Sequence, residues 1–272
     1  MCELLGLSSN LPSTLTLSLR KLAEHGGPPF SIRDGWGVGF YEGSDVRLIK
    51  DSAAVDDSEW LRFVDGHDLR SHIIVSHIRK ATMGERSYAN AQPFIRELAG
   101  RTHLFAHNGW LPGIMESVAF RTSRYRRIGE TDSEQAFCAL LERLRDAWDR
   151  AREVPPLDVR LAIISTYAAA LRQLGPANFL YSDGDTLFAH GDRRKNAVTG
   201  KVSPPGLVFL RRECVQGTQA DLGQALSIGG ANQAVTLVAS TPLSNDAWEI
   251  VAEGEIIALS KGEVVRLPST ST

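Results

Sequence analysis

The stretch GETDSEQAFCALLERLRDAWDRA (residues 129–151) decides the fold class, because it is the clearest helix in the chain and strand-like segments lie on both sides of it. Phe137, Leu140, Leu141, Leu144 and Trp148 recur at three- and four-residue steps. That spacing puts them on one helical face and predicts that this face is buried. Thr131 and Glu134 precede the face in the pattern of a capping box, with Thr131 as N-cap and Glu134 at N3. After a loop break at VPP near Pro155, residues 157–174 read as a second helix.

Ahead of this block, strands are expected at residues 4–8, in a hairpin running from RDGWGVGFYEG into DVRLIK, in HIIVSHI and in THLFAHNG, with a short helix around Trp60. Leu15, Leu19 and Leu22 recur at helical spacing before Gly26-Gly27, which predicts a helix after the first strand. Behind the block come NFLYSDG, DTLFAHG, GLVFLRR, AVTLVAS, AWEIVAEG, EIIALSKG and EVVRL, with Asp183-Gly184 and Lys261-Gly262 as turn signals. Strands on both sides of a central helical block predict an α+β layered domain rather than a doubly wound parallel sheet. There is no internal repeat, and SPPG near Pro204 reads as a loop break. Residues 1–272 are therefore expected to form a single domain.

The 272 residues, 43% of them hydrophobic, suffice for one large core. A net charge of −2 supplies no general attraction to nucleic acid or to an anionic membrane, so neither is expected as a partner. The local run RTSRYRR (residues 121–127) reads as a solvated loop. Cys2, Cys138 and Cys214 do not make a disulfide framework, which points to a reducing compartment. With no apolar run approaching the roughly 18 residues that span a bilayer, and no signal peptide ahead of Cys2, a cytoplasmic location is expected.

Cys2 stands directly behind the initiator methionine. Trimming of Met1 would leave a thiol of pKa ~8.5 on the same residue as an α-amine of pKa ~7.7–8.0, a nucleophile with its own base. The plainer reading is a small buried residue opening a strand. Four further stretches stand out: DGWGVGF (residues 34–40), SHIRKATMG (76–84), AHNGW (106–110) and GETDSEQAF (129–137). Singly, each has an ordinary structural explanation: close packing at glycines, a surface ion pair for Arg79, a turn at Asn108-Gly109, and a helix start at Thr131. His72 and His77 are an odd five residues apart, on opposite faces of a strand, and read as structural rather than as metal ligands.

In this order behind Cys2, the stretches together resemble the glutaminase domain of the class II glutamine amidotransferases, members of the N-terminal nucleophile hydrolases. The resemblance is strongest over residues 2–144, and the DGWG form resembles the stand-alone branch. It implies a four-layer αββα sandwich of two mainly antiparallel sheets, with the nucleophile at the start of a central strand. It also implies that Cys2 is the nucleophile and that Asn108 and Gly109 form the oxyanion hole. Arg79 and Thr82 would bind substrate, Arg79 through the α-carboxylate, and Asp132 would hold the α-ammonium. A guanidinium matches a carboxylate in two parallel hydrogen bonds, and an amide beside a glycine N–H aims two donors at one oxyanion. Met83 follows Thr82 where many synthase-linked members have histidine, and no catalytic role passes to Arg33 or Asp34. The activity implied is release of ammonia from glutamine, with no metal or cofactor, and with a separate ammonia-accepting synthase as a possible partner because the chain leaves no room for one. Hydrolysis of another γ-glutamyl amide, of the ergothioneine- or glutathione-pathway type, is the alternative. A non-catalytic glutamine-binding or partner subunit is the reading of another class.

Overall fold

The computed structural model describes residues 2–17, 34–54, 58–80, 84–196, 199–214, 220–221, 226–229 and 232–265. In chain order the first half carries β1 (Glu3–Leu17), β2 (Trp36–Glu42), β3 (Asp45–Asp51), α1 (Glu59–Gly66), β4 (Arg70–Ile78), β5 (Phe94–Leu98), β6 (Arg101–Gly109), α2 (Asp132–Arg150) and α3 (Leu157–Leu171). The second half is nearly all strand: β7 (Ala177–Ser182), β8 (Leu187–His190), β9 (Arg194–Lys195), β10 (Val202–Ser203), β11 (Leu207–Cys214), β12 (Ala220–Asp221), β13 (Leu226–Gly229), β14 (Gln233–Ala239), β15 (Glu249–Val251), β16 (Ile256–Ser260) and β17 (Glu263–Val265). One sheet has the order β15-β11-β14-β1-β4-β2-β3, with β13 also on β1 and β12 on β13. The other runs β17-β16-β8-β7-β6-β5. Their pairings are antiparallel, as hairpin-connected strands require.

Side-chain alternation sorts these strands into layers. On β1, Leu4 faces the second sheet and joins Ile73, Val75, Leu104, Ala106, Leu180 and Leu187 in a core between the sheets. Leu5 and Leu7 point the other way, with Trp36, Val38 and Ile74, to meet Leu61 and Val64 of α1. On the far side Phe105, Phe179 and Tyr181 pack under α2 and α3, against Phe137, Leu140, Leu144, Trp148, Ile164 and Tyr167. Both sheets thus bury both faces, at about 1.5–3 kcal/mol for each large apolar side chain, and the result is an αββα sandwich. The sheets approach closely at Gly39, where a Cβ would lie 2.4 Å from Leu104 Cδ1.

Helix α2 matches its periodicity, with all five face residues no more than 2% exposed. Its cap is half of a capping box: Glu134 N donates to Thr131 Oγ1 at 3.2 Å. The Glu134 carboxylate instead accepts from Ile128 N and Gly129 N, at 3.0 and 2.7 Å, and pairs with Arg96. The β2–β3 hairpin, the short helix at Trp60 and the two-residue turn at Lys261-Gly262, both at positive φ, also form as expected. The Arg-rich run is a loop held by α2, through Ser123 Oγ on Glu142 Oε1 at 2.6 Å and Arg124 on Asp149 at 3.6 Å.

Two expectations need correction. Leu15 lies in β1, not in a helix, because Ser13-Thr14-Leu15-Thr16-Leu17 alternates with period two and carries β-branched threonines that favour strand. A register shift between Ser8 and Ser13 masks that continuity. Leu19, Leu22 and Gly26-Gly27 lie outside the described residues. Strand β5 was not anticipated, since Arg96 and Glu97 interrupt its apolar pattern; it is fixed by the Ala99-Gly100 turn, with φ of 52° and 76°, that folds it onto β6. Among the described residues, no helix is long and apolar enough to cross a membrane.

Candidate active site

Cys2 continues the alternation of β1 on the side of Leu4, so it opens at the end of a strand flanked by β4 and β14. Its Sγ accepts from Lys80 N at 3.1 Å and donates to Lys80 O at 3.2 Å. Burial pushes the Cys2 thiol up, while the Lys80 N–H and the Arg79 charge act to bring it down. On β6 the same alternation turns Leu104 and Ala106 toward the other sheet and Phe105 toward the helices. Asn108 therefore projects toward β1, and its Nδ2 donates to Cys2 O at 2.6 Å.

Asn108 and Gly109 are not turn residues. They end β6 in register with Asn178 and Ala177 of β7. Gly109 is demanded by crowding, since a Cβ there would lie 1.8 Å from Pro176 O and 2.6 Å from His107 Nε2. Asn178, 1% exposed, braces the pair from the next strand. Its Nδ2 donates to Asn108 O at 3.3 Å and to Arg193 O at 2.8 Å, and its Oδ1 accepts from Asp192 N at 2.7 Å. Gln92 brackets the preceding residue, accepting from His107 N at 2.7 Å and donating to His107 O at 3.3 Å.

Arg79 is 3% exposed, so it is a buried side chain and not a surface one. Its guanidinium donates to the carbonyls of Asp34, Glu85 and Gly84 at 3.2, 3.2 and 3.1 Å. Asp132, the first residue of α2, is 4% exposed. Its Oδ2 accepts from Leu111 N and its Oδ1 from Ser133 N, each at 2.8 Å. These contacts close a circuit. It runs from Cys2 to Lys80, from Arg79 to Glu85, and from Glu85 N to Glu130 Oε2 at 3.2 Å. From there it passes along the chain to Asp132, across to Leu111, back two residues to Gly109 and Asn108, and returns to Cys2. Three motifs distant in sequence are thus linked to Cys2 and to one another.

Thr82, with residues 81 and 83, lies outside the described residues. His77 is buried and His72 exposed, on opposite faces of β4, and burial holds His77 at about 3, neutral. Among the described residues no group of three or more His, Cys, Asp or Glu side chains is placed to hold a metal ion. Sequence reasoning did not single out Lys80, Gln92, Ser133 or Asn178. Only the first and third sit inside quoted motifs; Asn178 is delivered by strand pairing, which leaves no local signature.

Comparison with known proteins bears on the same constellation. The sequence matches the family described as glutamine amidotransferases class-II over residues 1–272. It is 35% identical over 266 residues to the Escherichia coli (strain K12) protein YafJ, provisionally named a glutamine amidotransferase, covering 97% of this chain and 100% of that one. A crystal structure of a predicted glutamine amidotransferase from Pseudomonas aeruginosa PA01 superposes with TM-score 0.69 at 32% identity, covering 98% and 100% of the two chains. The glutamine phosphoribosylpyrophosphate amidotransferase of B. subtilis shares the fold, with TM-score 0.60 at 16% identity over 97% of this chain and 48% of that one. With the family matched along its whole length and a relative of equal span, the chain belongs to the class II glutamine amidotransferases.

Proposed function

We propose that residues 1–272 act as one amidotransferase unit that hydrolyses the side-chain amide of glutamine, with Cys2 as nucleophile, and releases ammonia for a separate acceptor. The observation that supports this reading is the hydrogen bond from Asn108 Nδ2 to the backbone carbonyl of Cys2, which brings an amide donor to the residue that carries the thiol. Removal of Met1 frees the Cys2 α-amine as base. The thiolate attacks the side-chain carbonyl carbon, forming the C–S bond, and Asn108 Nδ2–H and Gly109 N–H receive the oxyanion. As the C–N bond breaks, the leaving nitrogen takes a proton from the α-ammonium and departs as ammonia. Water then cleaves the thioester to glutamate and restores the thiol. Arg79 takes the substrate α-carboxylate, Thr82 also binds substrate, and Asp132 takes the substrate α-ammonium.

Trp110, 54% exposed directly after Gly109, favours a second reading, because it offers apolar surface to a substituent on the leaving nitrogen. The test is a comparison of glutamine with γ-glutamyl amides carrying small and bulky N-substituents, using protein whose mass shows Met1 removed. Glutamine should be turned over at least as well as the bulky amides, and Cys2→Ala should abolish turnover. A bulky amide preferred tenfold or more, about 1.4 kcal/mol of transition-state discrimination, replaces ammonia release with γ-glutamyl hydrolysis.

A further inference from the structure

The alternation that turns Asn108 toward Cys2 turns its neighbour His107 toward α2, where it is 1% exposed. There His107 Nδ1 lies 2.9 Å from Ser133 Oγ. Ser133 Oγ donates to Asp132 Oδ1 at 3.3 Å, and Ser133 N donates to the same oxygen at 2.8 Å. The Ser133 hydroxyl, both donor and acceptor, therefore bridges the imidazole and the Asp132 carboxylate. On the other edge of the ring, Nε2 sits against Gly109, 2.6 Å from where a Cβ would be, beside the Pro176 carbonyl. Gln92 holds both the backbone N–H and the C=O of His107, and the buried ring lies nearly parallel to Phe105, 6.4 Å away with planes 16° apart. One buried side chain therefore touches both the helix start that carries Asp132 and the strand end that carries Asn108 and Gly109.

We propose that His107 is a positioning residue that, through Ser133, fixes the Asp132 carboxylate relative to the Asn108–Gly109 strand end. This rests on the function proposed above, in which Asp132 grips the substrate head and Asn108 with Gly109 receives the oxyanion. Those groups stand on different elements, α2 and β6, and the distance between them sets where the scissile carbonyl falls once the head is bound. A misplacement of about 1 Å at such a site can cost on the order of 10²-fold in rate. Burial pulls the His107 pKa down and favours the neutral ring, while Asp132, the hydrogen bond to the Pro176 backbone and Asp192 draw it the other way.

The test uses the full chain with Met1 removed, and reads both steady-state turnover of a γ-glutamyl amide and the rate at which a diazo-ketone analogue of glutamine labels Cys2. His107→Leu should lower both rates by roughly 10- to 100-fold while its melting curve stays cooperative. His107→Asn, whose side-chain amide takes the place of Nδ1, should recover most of the loss, and His107→Gln, which reaches the Nε2 position, should not. Should the leucine variant fail to fold, Ser133→Ala supplies the comparison: it should slow both rates, and combining it with His107→Gln should add no further loss beyond the larger single effect. Full rates in folded His107→Leu, equal rescue by Gln and Asn, or additive losses in the double variant would overturn the positioning role. A wild-type protein that neither turns over a γ-glutamyl amide nor labels at Cys2 would instead overturn the proposed function, and this inference with it.

Discussion

At the scale of single residues, the candidate groups are held by hydrogen bonds to buried backbone, and the proposed function gives each a testable role. Asn108→Ala removes the donor beside Cys2, and kcat should fall by roughly 10²–10³ with little change in KM, as loss of one oxyanion donor does. Steady-state kinetics check this, and an unchanged kcat with raised KM would make Asn108 a binding group. Arg79→Lys keeps a charge but loses the planar fork, which here also grips the carbonyls of Asp34, Gly84 and Glu85. It should raise the Kd for glutamate measured by calorimetry, and Asp132→Asn should do the same through the α-ammonium. Wild-type affinity in both would leave Asp132 as a helix-start residue only. Cys2, Asn108, Gly109 and Asp132 could be named as candidates from the sequence because their short motifs, taken together and in order, carry the family resemblance. Asn178 and Gln92 were not, because their value comes from a partner strand and from a neighbour 15 residues away.

At the scale of elements, two local rules position the chemistry. Period-two alternation along β1 and β6 aims Cys2 and Asn108 at each other, and the start of α2 places Asp132 against Leu111. Under the proposed function, the cap of that helix would serve stability and binding together. Thr131→Ala removes the acceptor for Glu134 N and should lower unfolding free energy by about 1 kcal/mol, read by denaturant titration, while raising KM because Asp132 is the next residue. A stability loss with unchanged KM would separate the cap from the site. The helical block was readable because five apolar residues repeat over several turns. The far end of β1 was not, because three leucines at helical spacing compete with a Ser-Thr-Leu-Thr-Leu alternation, and only pairing with β4 and β13 decides for strand.

Across the whole molecule, the sandwich buries histidines that it must keep neutral. Burial holds His77 and His103 at about 3 and His190 at about 4, below the ordinary value of 6.5. The unfolded chain takes up protons below that ordinary value that the folded chain refuses, so stability is full above it and is lost as pH falls toward the folded values. One pH unit below the ordinary value, each such histidine costs about 1.4 kcal/mol. Tm should thus be level just above neutrality and fall as pH drops below about 6.5; a Tm constant down to pH about 5 would contradict the neutral burial of these rings. The layered α+β class followed from the order of helices and strands, while the strand order within each sheet rests on long-range pairing that no local pattern encodes. The central claim is that a free amino-terminal Cys2 carries the reaction, and the most direct measurement is mass spectrometry of the acid-quenched protein during turnover of a γ-glutamyl amide. The account expects a glutamyl thioester on a peptide that begins at Cys2. An adduct on Cys138 or Cys214, or turnover by protein that retains Met1, would contradict it.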